Sequence, residues 1–301
     1  MKFIFLVNPI SGGSGTHIPE IIEGAVAKLS LKEDEYAIEE TQREGAVDQA
    51  AKAFDRAGTI ISVGGDGTMR AVIAGYLKQE NPDRSVAVYP AGTGNDLFRH
   101  MYSYPEFKKD RAAYLARMLQ GTEREHRLWS IGGWYFGNYV SLGYDATVSH
   151  KFALARARKP NTGRLHNYWT YMRLGLFNLG RRMSKGIELQ LDDRTVTARK
   201  AMVIAGISRY AGGSHIPHNG QQELVCLPIN SIFSYTRFMA TRLFGRPSPG
   251  LKAIPLKEGV LKHKGEGVLQ IDGETMALSE MPHELAIKFE TTIKVLVPQG
   301  D

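Results

Sequence analysis

The sequence predicts an α/β chain in two parts, a parallel sheet covered by helices and then a mostly antiparallel β domain. Three observations carry this expectation. In the first third, short apolar runs alternate with helical patterns at the spacing of βα units. Three loops rich in Gly, Ser, Thr, Asn and Asp each follow a proposed strand there. Near Gly121 the pattern changes to hairpin-like alternation, interrupted by two helical stretches.

The elements follow in order. Phe3 to Val7 is a strand; the apolar run after Met1-Lys2 is too short for a signal peptide and lacks a small-residue cleavage pattern. His17 to Leu29 is a helix, with Ile18, Ile21, Ile22, Ala25, Val26 and Leu29 at three- and four-residue spacing. Tyr36 to Glu39 is a weak strand, and Gly45 to Arg56 a helix with Val47, Ala50, Ala51 and Phe54 on one face. Thr59 to Val63 is a β-branched strand, followed by a helix over Thr68 to Lys78, a strand at Val86 to Tyr89 and a helix at Arg111 to Leu119. Beyond Gly121, strands are expected at Glu125 to Ile131, Trp134 to Leu142, Ile187 to Leu191, Thr195 to Ile207, Gly267 to Ile271 and Leu285 to Val297. The helical stretches are Ala146 to Lys159 and Arg164 to Lys185.

A chain of 301 residues, 43% hydrophobic and 23% charged, suits two folded domains and excludes extensive disorder. The single cysteine, Cys226, excludes an internal disulfide; its apolar neighbours mark a buried thiol and point to a reducing, cytoplasmic setting. No apolar run reaches the ~20 residues that span a bilayer, so membrane contact is expected to be peripheral.

Parallel sheets place ligands beyond the carboxyl ends of their strands. The three loops sit there: Asn8-Pro9-Ile10-Ser11-Gly12-Gly13-Ser14-Gly15-Thr16, Gly64-Gly65-Asp66-Gly67-Thr68 and Pro90-Ala91-Gly92-Thr93-Gly94-Asn95-Asp96. Glycines let bare backbone approach phosphates, and helix starts supply N–H groups. The first loop lacks the Gly-Lys-Ser/Thr ending of a Walker A loop. Any one such loop is most often only a turn; three at corresponding positions point to a phosphate site. Asp66 within the second would repel phosphate unless a divalent cation lay between them.

The net charge of +7 is uneven. His126 to Leu285 holds 21 Lys and Arg against 11 Asp and Glu, and the remainder 17 against 20, which suggests an anionic partner for the second part. Arg164 to Lys185 interleaves aromatics and leucines with basic residues, the pattern of a membrane-interface helix or of a helix packed by its apolar stripe. Tyr235 to Lys252 is similar. No nucleic-acid motif accompanies these residues, so nucleic acid is not the expected partner.

Five motifs in order then resemble a known family, the bacterial diacylglycerol kinase-like lipid kinases, related to sphingosine and ceramide kinases. They are Asn8-Pro9 with Ser11-Gly12; Gly64-Gly65-Asp66-Gly67-Thr68; Pro90-Ala91-Gly92-Thr93-Gly94-Asn95-Asp96; Gly143-Tyr144-Asp145-Ala146; and Gln270-Ile271-Asp272-Gly273-Glu274. The second element is shared with NAD kinases.

The resemblance implies a phosphofructokinase-like, three-layer α/β nucleotide domain over 1–124, joined by a C-terminal return over 286–301. It implies a β-sandwich lipid-substrate domain over 125–285. It also implies ATP and Mg²⁺ as cofactors. Asn8, Ser11, Gly65, Asp66, Gly67, Thr68, Gly92, Thr93 and Asn95 would bind the nucleotide; Asp66, Asp96 and Asp145 would hold the metal; Asp272, with Glu274 beside it, would be catalytic. The plain alternative for Asp272 is a turn residue, since Asp-Gly is a strong hairpin signal.

The implied function is ATP- and Mg²⁺-dependent phosphorylation of a lipid hydroxyl, diacylglycerol first, at the inner face of the membrane. A turnover-deficient lipid- or nucleotide-binding regulator and an NAD kinase stay open, as does a homodimer. Arg70-Ala71 and Asn219 depart from the family pattern, and the loss of carboxylates argues against a second, structural metal.

Overall fold

Phe3–Val7 (β1) is apolar throughout and almost wholly buried, as a central strand of a parallel sheet must be. The computed structural model describes the chain except for residues 10–16, 43, 80–82, 93–94, 160–163, 179–186, 192, 212, 218–222, 247–249 and 300–301. Two compact units are distinguished: Met1–His126 with Thr292–Asp301, and Arg127–Thr291.

In the first unit β1 is followed by Ile18–Lys28 (α1), Tyr36–Glu40 (β2), Ala46–Arg56 (α2), Thr59–Gly64 (β3), Asp66–Tyr76 (α3) and Ser85–Pro90 (β4). Asp96–Met101 (α4), Tyr104–Lys109 (α5) and Arg111–Leu119 (α6) complete it. Helix α1 begins with proline in its first turn and carries Glu20 near its start and Lys28 near its end, each where the helix dipole favours it. Asp110 caps α6 by accepting the Ala113 N–H at 2.9 Å. Pairing is parallel throughout, β2 to β1, β1 to β3 and β3 to β4, with Phe3 opposite Thr59 and Thr59 opposite Ser85. Strands β3 and β4 are almost completely buried, which explains their unbroken apolar character. The short helices α4 and α5 follow the third glycine-rich loop and carry no extended apolar periodicity, so their sequences did not announce them.

The second unit contains the latter half of Thr122–Ile131 (β5), then Trp134–Phe136 (β6), Tyr139–Gly143 (β7), Tyr144–Arg158 (α7) and Arg164–Phe177 (α8). Ile187–Gln190 (β8), Thr195–Ala198 (β9), Ala201–Ala205 (β10), Arg209–Tyr210 (β11), Ser214–His215 (β12), Leu224–Ile229 (β13) and Ile232–Phe244 (α9) follow. Ile254–Leu256 (β14), Gly259–Lys262 (β15), Val268–Ile271 (β16), Glu274–Ala277 (β17) and Glu284–Val297 (β18) end it.

One sheet here has the order β14-β13-β10-β7-β16-β17, paired antiparallel. The other is formed by β9, β8, β15 and the first part of β18, with β5 and β6 alongside. Val140, Leu142, Met202, Ile204 and Cys226 from the first sheet and Ile131, Ile187, Leu189, Leu261 and Leu285 from the second share one buried core, the interior of a β-sandwich.

Two expected strands are each divided. Trp134 to Leu142 breaks at Gly137-Asn138, whose N–H groups turn to the Asp272 carboxylate. Thr195 to Ile207 breaks at Arg199-Lys200, so that β9 joins one sheet and β10 the other. Helix α9 overlaps the first part of the basic Tyr235 to Lys252 stretch and begins three residues before it.

Strand β18 begins in the second unit, with Ile287 opposite Gly259, and its last residues belong to the first, where Lys294 and Val295 pair parallel with Ser85 and Val86. Tyr102 fastens it there, its hydroxyl donating to the Leu296 carbonyl at 2.9 Å. Gly121 meets the same strand so closely that a Cβ would fall 1.8 Å from the Val297 carbonyl oxygen. Backbone cannot yield as a side chain can, so Gly121→Ala is expected to lower unfolding free energy by about 3 kcal/mol. A urea denaturation midpoint unchanged from the parent would refute this.

Candidate active site

The second glycine-rich loop forms because β3 ends at Gly64 and α3 begins two residues later. A Cβ on Gly64 would sit 2.3 Å from the Thr68 hydroxyl oxygen, so the turn admits only glycine. The Gly64 carbonyl accepts the N–H groups of Ala91 (2.9 Å) and Gly92 (3.0 Å), joining the third loop to the second. At Gly92 a Cβ would lie 2.4 Å from the Gly65 Cα: the two loops touch backbone to backbone. Part of the glycine content thus serves loop-to-loop contact. Gly67 differs, being exposed with no atom within 4 Å of an added Cβ, and leaves the open approach that a phosphate needs.

Asn95 is in the left-handed region (φ 54°), where asparagine is better tolerated than most residues. Its side chain clamps Gly92, accepting the N–H at 3.0 Å and donating to the carbonyl at 2.7 Å. Its neighbour Asp96 opens α4, and the Asp96 N–H donates to Asp66 Oδ1 at 3.0 Å. Enclosure of the Asp66 carboxyl raises its pKa, while N–H groups of Asp96, Leu97 and Asn95 lower it. Across the sheet edge, Asn8 donates its side-chain amide to the Thr68 hydroxyl at 3.1 Å and its N–H to the Val63 carbonyl at 2.9 Å.

Asn8, Gly65, Asp66, Thr68, Gly92, Asn95 and Asp96 therefore gather at the carboxyl ends of β1, β3 and β4, the rim where parallel sheets bind ligands. Ser11 and Thr93 lie outside the described residues, as does Asn219. The donor set fits a Mg-nucleotide. Amide, hydroxyl and the N-terminus of α3 suit phosphates, and two neighbouring carboxylates suit Mg²⁺, which takes one or two carboxylates plus waters and substrate phosphates. No cluster of three or more potential ligands among His, Cys, Asp and Glu occurs among the described residues.

Asp272 belongs to the second unit. With Gly273 it makes the two-residue turn between β16 and β17, where Ile271 faces Glu274; both turn residues have positive φ (46° and 91°), the geometry that favours Asp-Gly. The hairpin reading of this motif is correct as local structure. The carboxylate does more: it is buried and accepts the N–H groups of Gly137 (2.8 Å), Asn138 (3.0 Å) and Tyr139 (2.9 Å). These donors fix its position. Glu274 is exposed at the start of β17.

Asp145 is also in the second unit, fully enclosed at the start of α7. The resemblance implies a metal role for it; its neighbours in the structure are hydroxyl groups. Its oxygens accept the hydroxyls of Tyr210, Tyr235 and, at 3.4 Å, Ser141, with Tyr171 as a further donor. Hydroxyl donors satisfy an anion, whereas a hard cation requires a shell of acceptors. Ser141 also donates to Gln270 Oε1 at 2.7 Å, linking β7 to β16 two residues before Asp272. No motif announced these tyrosines, which converge from three separate elements.

Comparison with known proteins agrees with the motif order. The family model described as diacylglycerol kinase catalytic domain matches residues 2–131, and that of the diacylglycerol kinase accessory domain matches residues 135–237. Diacylglycerol kinase theta of Mus musculus is 29% identical over 190 residues, and that of Homo sapiens 28% over 189; each match covers 52% of this chain. The matched part is 20% of those relatives' length. A crystal structure of a diacylglycerol kinase from Bacillus anthracis str. Sterne covers 99% of this chain and 97% of its own, with TM-score 0.71 and 18% identity, a likeness of fold.

Burial raises the Asp145 pKa from the ordinary 3.8, so its contribution to stability is full below pH ~4 and is lost as pH rises through the folded value. Asp145→Asn stays neutral throughout. The Tm of this variant minus that of the parent is therefore expected to increase as pH is raised from 4 to 8. A difference independent of pH would show that Asp145 ionises in the folded protein as it does in the unfolded chain.

Proposed function

The chain belongs to the diacylglycerol kinase-like lipid kinases, and from that membership we propose that it transfers the γ-phosphate of ATP, with Mg²⁺, to a hydroxyl of a membrane lipid, diacylglycerol first. The observation that carries the reading is the gathering of Asn8, Gly65, Thr68, Gly92 and Asn95 around Asp66, all within the part matched by the catalytic-domain model.

When bound, ATP supplies the phosphoryl group and Mg²⁺ offsets its developing charge. Asn8, Thr68, Asn95 and the open backbone at Gly67 would hold phosphates, and Asp66 and Asp96 the metal. Asp66 suits a bound cation, since an enclosed carboxyl is disfavoured as an anion without one. By resemblance, Asp272 would take the proton of the acceptor hydroxyl. Three N–H donors hold its carboxyl group in a fixed place. That suits phosphoryl transfer, where the loose transition state asks for positioning and charge stabilisation more than for a strong base.

Purified protein with labelled ATP and Mg²⁺ is expected to label diacylglycerol in mixed micelles and to leave NAD unlabelled. Asp272→Asn preserves the turn preference while weakening the base, so kcat is expected to fall about 10²- to 10⁴-fold. Its unfolding free energy should fall by about 1–3 kcal/mol, because an amide cannot accept all three N–H groups. Turnover in the variant equal to the parent would refute the assignment of the base. No transfer to any lipid alcohol by the folded parent would refute the kinase reading and leave a binding protein.

A further inference from the structure

Strand β16 meets β7 over three residue pairs, Leu269 with Leu142, Gln270 with Ser141 and Ile271 with Val140. The next residue extends this short ladder with its side chain. The Asp272 N–H donates to the Tyr139 carbonyl at 3.0 Å, and the Tyr139 N–H returns to Asp272 Oδ1 at 2.9 Å, where a regular antiparallel pair would use the main-chain carbonyl. The carboxylate is thereby a member of the β7–β16 ladder, and its position follows the register of the two strands.

A short ladder fixes register weakly by backbone alone, and one buried polar pair adds to it. Ser141 and Gln270 are buried in a cross-strand row whose next members, Val203 and Leu227, are apolar. A hydroxyl or amide in such a row is costly unless it is paired. The Ser141 hydroxyl donates to Gln270 Oε1 at 2.7 Å. A slip of two residues, the smallest that keeps each side chain on its own face, would set Ser141 opposite Val268 or the turn residue Asp272 and take the hydroxyl away from Gln270. Strand β7 is itself anchored on this face. The Tyr139 ring packs on Tyr210 with centroids 4.5 Å apart, the Tyr210 hydroxyl donates to Asp145 Oδ2, and the Ser141 hydroxyl lies 3.4 Å from the same oxygen. The Asp145 cluster thus grips β7, and Gln270 passes that hold to β16 two residues before Asp272.

We propose that Gln270, held by Ser141, is a positioning residue for Asp272: it sets the register that brings the carboxylate to the N–H groups of Gly137, Asn138 and Tyr139. Gln270 acts through Asp272 and takes no part in the chemistry. Its effect on turnover rests on the reading of Asp272 as the base; the placement itself does not.

The test uses the full chain and four variants: Ser141→Ala, Gln270→Leu, the two combined, and Thr275→Val. Thr275 faces Gln270 from β17, and its hydroxyl bonds His150 Nδ1 at 2.8 Å, so Thr275→Val removes a polar contact beside Gln270 without reaching β7. Amide hydrogen exchange at Gly137, Asn138 and Tyr139 is read alongside kcat on diacylglycerol in mixed micelles and KM for ATP. Ser141→Ala and Gln270→Leu are each expected to speed exchange at Asn138 and Tyr139 about tenfold. Each should also lower kcat about tenfold at unchanged KM for ATP, as a misplaced group would. The combined variant should lose no more than either single one, since the two side chains form one contact. Thr275→Val should match the parent in both readouts. Ser141→Ala, the milder change, carries the test if Gln270→Leu does not fold. Parent exchange rates in the folded single variants would overturn the proposal, whatever kcat does, and so would additive losses in the combined variant. Equal acceleration in Thr275→Val would also overturn it, because the sheet would then be loosening as a whole. Faster exchange with the parent kcat would leave the placement standing and sink the reading of Asp272 as the base.

Discussion

Backbone contact between two glycine turns is the constraint on which the first unit's site depends. Because Gly92 lies against Gly65 with no room for a Cβ, the loop after β4 is brought to the end of β3. Asn95 then locks Gly92 from both sides, and Asp96 starts α4 with its N–H on the Asp66 carboxylate. Short-range sterics thus place a carboxylate, an amide and a helix start within one small region. A larger residue at Gly92 would separate them before any ligand chemistry was affected.

Three buried or enclosed carboxylates are met by three different kinds of donor. Asp66 faces the N-terminus of a six-residue helix, a weak partial charge that leaves the group suited to a cation. Asp272 accepts three backbone N–H groups, which hold it in one orientation. Asp145 is surrounded by tyrosine hydroxyls in a setting where burial favours its neutral form. The same residue type is therefore held in three different settings, according to what donates to it.

The Asp145 cluster also bears on the helices outside it. Its donors Tyr171 and Tyr235 belong to α8 and α9, and Asp145 itself opens α7, so one buried carboxylate ties three helices together. A helix fixed through its polar, inward side can present apolar side chains outward, as α8 does with Leu176 and Phe177. Stability on one side of the helix permits a surface on the other that would not fold well alone.

Sequence alone determined the parallel order of the first unit, because strands buried on both faces must be continuously apolar and their helices must be amphipathic; α6 was located to the residue. It also determined which loops share a rim, since strand ends in a parallel sheet point the same way. It could not show that Trp134 to Leu142 and Thr195 to Ile207 are each two strands, because their breaks arise from a distant carboxylate and from a change of sheet. Nor could it separate Asp66, held by N–H groups at a helix start, from the tyrosine-bound Asp145, both of which sit in glycine-containing motifs. Residues distant in the chain decide such questions: the surroundings of a carboxylate, and the outward side of α8, exist only once tertiary packing has assigned every neighbour.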